Sequence, residues 1–281
     1  GLRTTFGNVG GRGVRIIRTA ERLMLPVVDL SGLTGRELEG ELGRQAVEEG
    51  NLAFDFEQGP LVRMKVVRLG SEGHVLLFTV HHVVSDGWSI SILTREVSAL
   101  YEANCEGWPS ELAELLIQYA DYASWQREWM SGEVLDRQLN YWRTALGGAR
   151  PGLDLATDYA RPTAQSYVGA RVPIDLNERL SAEIHEFSQR EGTTLFMSLL
   201  TALQVLLCRY VGESDIVVGT TIANRTRVET EGIIGFFINT LVLRTRWTGE
   251  PSWRELVLRV KEVVLEAYAN QDFPFEKLVE E

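Results

Sequence analysis

The chain has 281 residues, 44% hydrophobic and 24% charged, the proportions of a folded globular protein long enough for two domains. Its 28 basic and 39 acidic residues leave a net charge of -11, which argues against a nucleic-acid partner, because such affinity rests on Lys and Arg contacts to phosphate. No apolar run approaches the ~20 residues of a membrane span, and the opening GLRTTFGNVG lacks a charged-then-apolar signal pattern, so a cytoplasmic location with no membrane partner is expected.

The elements follow in chain order. LRTTF (2–6) and VRIIR (14–18) flank GNVGGRG, which reads as a glycine-built hairpin rather than a phosphate loop, since it lacks GxGxxG spacing and a loop lysine. A helix is expected over 37–50, then a second hairpin from LVRMKVVRL (61–69) and HVLLFTVHH (74–82). From Trp88 the period becomes helical through Ile92, Leu93, Val97, Leu100 and Tyr101, and amphipathic helices are expected at 111–130 and 133–146. The Pro, Gly and Asp content of 151–167 marks a linker between an N-terminal lobe, 1–150, and a C-terminal lobe, 168–281. The second lobe opens with an expected strand, VGARVPIDL (168–176). It continues with helices at 177–191, 194–210 and 252–269 and with the strands DIVVGTTIA and NTLVLRTRW. Strands mixed with helices on both sides of a linker predict an α/β protein of two similar lobes. The opening strand lacks neighbours and the closing helix has barely started, so the chain is expected to be a piece of something longer. Cys105 and Cys208 stand at spacings that suit neither zinc nor a disulfide framework and are expected to be buried, hydrophobe-like thiols.

The chemistry concentrates in VHHVVSDGWS (80–89). HExxH, paired CxxC, GxSxG and GK[ST] are all absent from the sequence, which removes the main support for zinc, α/β-hydrolase and P-loop readings. Alternation along a strand turns His81 and His82 to opposite faces, so one acts and the other supports. An imidazole is largely free to accept a proton at neutral pH. The residues alone leave His82 open between a general base and a satisfied strand-end histidine. Asp86 or Ser85 is suited to cap the following helix, and Gly87 implies a sharp backbone turn or close approach to a ligand.

Several blocks together resemble the condensation domains of nonribosomal peptide synthetases, whose signature is HHxxxDG. LRTTF, VHHVVSDGWS, YADYASWQ (119–126), IGFFINTLVLR (234–244) and NQDFPFE (270–276) are similar to successive family motifs, and FDFEQGPLVRMKVVRL and VVGTTIANRTR match further stretches, so the resemblance covers essentially the whole chain. It implies two chloramphenicol-acetyltransferase-like lobes in a V-shaped pseudo-dimer, here truncated at both ends, with a tunnel between them. Donor and acceptor carrier domains would deliver thioester-bound substrates on 4'-phosphopantetheine arms, with an adenylation domain nearby and no cofactor or metal bound by the chain itself. The resemblance makes His82 the catalytic residue, with His81, Asp86 and Gly87 supporting. It pairs Asp86 with an arginine of the second block, for which Arg3 is the candidate. Trp88, Ser89 and Asn239 are candidates for the substrate tunnel, while Tyr119, Tyr122 and Trp125 are expected to pack. An epimerization domain or other HHxxxDG acyltransferase, and a catalytically silent docking module, are the alternatives.

Overall fold

A computed structural model describes all residues of the chain except Glu72, Pro151 and Tyr167. It is an α/β protein of two units. The first comprises Gly1–Glu128 and Arg225–Ile238, the second Trp129–Asn224 and Asn239–Glu281.

In the first unit, β1 (Thr4–Val9) and β2 (Arg12–Ile17) pair antiparallel from Thr4 with Ile17 to Val9 with Arg12. The two-residue connection is Gly10 and Gly11, whose φ values of 61° and 81° belong to a primed turn that matches strand twist. β3 (Val27–Asp29) runs parallel to β4 (Val62–Arg68), which pairs antiparallel with β5 (His74–Val80), giving the order β3-β4-β5. Between β3 and β4 lies α1 (Gly35–Asn51), whose buried Glu49 pairs with Arg63 and Lys65 of β4. After β5 the chain makes one 3-10 turn (His82–Val84), then α2 (Gly87–Glu106) and α3 (Tyr119–Trp129). The helix expected over 111–130 therefore starts eight residues late. Asp121 Oδ2 accepts the Gln118 N–H at 2.8 Å while the Gln118 carbonyl accepts from Asp121 and Tyr122, closing the helix start there.

The second unit begins with the end of α3 and α4 (Gly132–Leu146). The expected lobe boundary near 150 thus shifts to 128/129, for a packing reason. Trp142 of α4, 1% exposed, lies in one core with residues from α6 (Leu195–Val211), β7 (Asn239–Arg246) and α8 (Trp253–Ala269), among them Leu200, Leu241, Leu243, Val260 and Val264. Arg244 reinforces this from β7 by donating to the Ala145 and Gly147 carbonyls at the end of α4, while pairing with Asp215. α5 (Glu178–Arg190) precedes α6, and β6 (Asp215–Ile222) pairs antiparallel with β7. α8 starts with a reciprocal capping box between Ser252 and Glu255. The short α9 (Phe275–Glu280) closes the chain. Residues 223–238, which connect β6 to β7, contain α7 (Val228–Glu231), and 225–238 belong to the first unit.

Two further expectations are corrected. Residues 168–176 form no strand. β6 and β7 hydrogen-bond only to each other among the described residues, Pro173 has no N–H to donate, and Val172 and Ile174 lie 84% and 86% exposed without a ladder partner. Neither cysteine is buried: Cys105 is exposed and Cys208 half-buried, both as free thiols. The expected linker, 151–167, begins and ends on residues outside those described, and between them carries no helix or strand. No single described helix is long and apolar enough to cross a membrane.

Candidate active site

The first unit assembles the VHHVVSDGWS stretch at a strand-to-helix turn. β5 ends at Val80, one residue before the histidine pair, so strand alternation is not what separates them. His81 keeps extended backbone, donates its N–H to the Leu61 carbonyl at 2.9 Å and caps the 3-10 turn. Its Nδ1 accepts the Val83 N–H at 3.1 Å, which requires that nitrogen to be unprotonated. The ring packs edge-on against Phe54 and Phe56, with centroids 5.6 and 4.6 Å away. His82 opens the turn and is exposed. Its Nδ1 lies 2.7 Å from the Ser85 carbonyl, an acceptor only, so Nδ1 carries a proton and, in the neutral ring, Nε2 presents its lone pair. Phe236 stands edge-on to the His82 ring, centroids 5.3 Å apart. The adjacent imidazoles thus hold opposite tautomers, and only His82 offers a lone pair at the surface.

Asp86 is 2% exposed and is the N-cap of α2. Its Oδ1 accepts the Ser89 N–H at 2.8 Å, and Oδ2 accepts the Phe237 N–H at 3.0 Å. Arg225 Nη2 lies 3.1 and 3.2 Å from the two oxygens. Arg3, the expected partner, is exposed and directs Nη1 to the Arg18 carbonyl. Arg225 has the position instead because residues 225–238 fold back onto α2. Its Nη1 donates to the Thr230 and Ile233 carbonyls and its guanidinium stacks 4.0 Å from the Phe237 ring centroid, satisfying a buried cation on several sides. Burial, the largest single influence, pushes the Asp86 carboxyl up, but hydrogen bonds from Ser89 and Phe237 and the Arg225 charge together hold it below its ordinary 3.8. The ionised carboxylate therefore favours the fold. That contribution is complete above pH 3.8 and is lost as the pH falls through the depressed value. Burial likewise pushes the Arg225 guanidinium down while Asp86 holds it up, and the side chain stays charged throughout.

Three residues proposed for a substrate tunnel are placed differently from one another. Trp88, half exposed, donates its indole N–H to the Glu231 carbonyl at 3.0 Å. Ser89 is fully buried and is a hub: its hydroxyl lies 2.7 Å from Asp86 Oδ1 and 2.9 Å from the Gly235 carbonyl, and it accepts from Arg225 and the Gly235 N–H. Asn239 belongs to the second unit, where its amide donates to the Gln271 and Phe273 carbonyls and accepts from the Thr240 and Phe275 N–H groups. All four of its polar positions are engaged, so it staples β7 to the loop before α9. Asn239→Ala is expected to lower stability by roughly 3 kcal/mol, because buried backbone groups lose their partners. Urea unfolding measures it, and a loss below about 0.5 kcal/mol contradicts this role.

Gly87 is the first residue of α2, is exposed and lacks positive φ; a Cβ built on it meets nothing within 4 Å. The fold itself has no need of a glycine there, so the sharp-turn explanation is set aside. The aromatic residues of α3 pack as expected: Tyr119, Tyr122 and Trp125 form a cluster with Ile233 and Phe237. Among the described residues, no cluster of His, Cys, Asp and Glu could hold a metal ion.

A strand-to-helix turn that buries an arginine-paired aspartate and presents one imidazole defines an HHxxxDG-type domain. The chain belongs to the condensation-domain family, whose model matches residues 1–281. It is 53% identical over 280 residues to one of the linear gramicidin synthase subunits of Brevibacillus parabrevis, an alignment that covers 100% of this chain and 5% of that protein. It is 46% identical to malpinin synthetase of Mortierella alpina over 279 residues, 99% of this chain and 4% of that protein. Among solved structures, the X-domain from teicoplanin biosynthesis matches with a TM-score of 0.90 at 31% identity, covering 99% of this chain and 62% of its own. The first condensation domain of the calcium-dependent antibiotic synthetase shares the fold, with a TM-score of 0.77 at 20% identity over 98% of this chain and 64% of its own. The α/β expectation and the family resemblance are borne out. The chain spans only about a twentieth of the curated relatives' length.

Proposed function

We propose that the chain forms an amide bond: the amine of an acceptor aminoacyl thioester attacks the carbonyl of a donor acyl or peptidyl thioester, whose C–S bond breaks to release the donor arm's thiol. Both substrates would arrive in the cytoplasm on the phosphopantetheine arms of carrier domains, with an adenylation domain as neighbour. The observation that carries this reading is the exposed His82 imidazole with its Nδ1 proton committed to the Ser85 carbonyl. Nε2 is then the atom that accepts a proton from the attacking amine or holds that amine in line. Asp86 makes no hydrogen bond to the imidazole among the described residues, its carboxylate being engaged by Ser89, Phe237 and Arg225. A thioester tolerates so modest a base, because it is already activated and alignment of the two ends can supply about 7 to 11 kcal/mol. The space left by Gly87 is read as room for that substrate.

The test supplies the protein with one carrier loaded with donor and one with acceptor, and follows amide product by mass spectrometry. Product with retained stereochemistry supports condensation. An inverted donor centre without amide indicates epimerization, and neither product indicates a docking module. In the same assay Gly87→Ala is expected to fold normally, gaining up to about 1 kcal/mol in helix propensity. Its amide formation should fall about tenfold or more through misplaced substrate. An unchanged rate removes Gly87 from the substrate path.

A further inference from the structure

We propose that Tyr119 is a positioning residue for His82, acting through Phe236. This rests on the reading of His82 as the proton-accepting group. Among the described residues, the Ser85 carbonyl on Nδ1 and the edge-on ring of Phe236, inclined at 73°, limit the rotation of the exposed His82 ring. A ring that swings away from Ser85 loses the fixed tautomer, so the placement of Phe236 governs how much of the time Nε2 carries the lone pair.

Phe236 is held through its backbone. The Tyr119 hydroxyl donates to its carbonyl at 2.6 Å, while Gly235 is held by Ser89 and the Phe237 N–H by Asp86. Tyr119 also fixes the approach of this segment. A Cβ on Gly235 would collide with the Tyr119 ring, so only glycine admits the contact. The same ring meets Phe237 edge-on, centroids 5.1 Å apart. Packing alone requires an aromatic ring at 119. The hydroxyl adds a bond to the carbonyl of Phe236, whose ring stands edge-on to His82.

Tyr119→Phe keeps the ring and removes that bond. Imidazole nitrogen NMR on the full chain should show His82 predominantly as the Nδ1–H tautomer in the wild type and as a mixture of tautomers in the variant. In the carrier assay, kcat should fall about tenfold with KM for both carriers unchanged, the equivalent of one hydrogen bond. Phe236→Leu, which keeps the backbone bond and removes the edge contact, should mix the tautomers in the same way and stands in if Tyr119→Phe fails to fold. An unaltered His82 tautomer in the folded variant overturns the proposal, whatever the turnover. The NMR readout needs no amide formation, so it separates failure of this proposal from failure of the proposed reaction.

Discussion

His82→Ala should lower amide formation by about 10²- to 10⁴-fold while leaving the fold almost untouched. The side chain is exposed, and its one hydrogen bond among the described residues, to the Ser85 carbonyl, is worth about 0.5–1.5 kcal/mol. The variant should therefore unfold within a few degrees of the wild type, and single-turnover rates with both carriers loaded should carry the whole effect. His81→Ala should behave in the opposite manner. Its ring supports Phe54 and Phe56 and its Nδ1 closes the turn, so its loss should appear first in stability. Equal rates for wild type and His82→Ala would remove the imidazole from the chemistry and leave alignment as the whole of catalysis.

Arg225→Leu should be the more damaging change to the fold, costing about 3 to 5 kcal/mol, because it strands the buried Asp86 charge. In a chain of this size that corresponds to a fall in Tm on the order of 10 °C, measurable by calorimetry. The attraction of the pair is not the origin of this figure. Both side chains are at most 1% exposed, so the cost comes from the uncompensated carboxylate left behind. Asp86→Asn together with Arg225→Leu should recover part of the loss by removing the stranded charge, but only part, since the single amide oxygen can accept from one of the Ser89 and Phe237 N–H groups and not both. The single variant should also lose activity beyond what its stability explains, because Arg225 holds the Thr230 and Ile233 carbonyls in the segment that carries Phe236. A single variant as stable as the wild type would show that Asp86 needs no cation.

Local patterning carried much of this. The GNVGGRG hairpin, the strands around 62–80, the Asp86 cap and the helix after it were legible because each depends on residues within a few positions: paired glycines, β-branched runs, an acid three residues before an N–H that donates to it. Tyr119, Tyr122 and Trp125 were legible as packing residues for the same reason, standing on one helix. The family was legible because several motifs occurred in the right order over the whole chain. Residues 168–176 misled because alternation describes a strand's faces but says nothing of whether a neighbouring strand is present to pair with it.

The partners of the site were another matter. Arg225 stands 139 residues from Asp86 and lay in a stretch, VVGTTIANRTR, that matched the family without a role for any of its residues. The available clue was physical: an aspartate buried by the helix it caps requires a cation, and ANRTR offers two before the apolar IIGFF run. Which arginine it is, that Ser89 is a buried hub and that Asn239 faces the second unit's own loop all depend on contacts between segments distant in sequence. The sequence by itself determined the histidine pair, a cap at Ser85 or Asp86 and the helix that follows, since these are set by neighbouring residues. Only the tertiary structure decided the tautomers of the two histidines and the cation that neutralises Asp86, because a proton's place and a buried charge's partner depend on whichever backbone or side chain the fold brings within hydrogen-bonding distance.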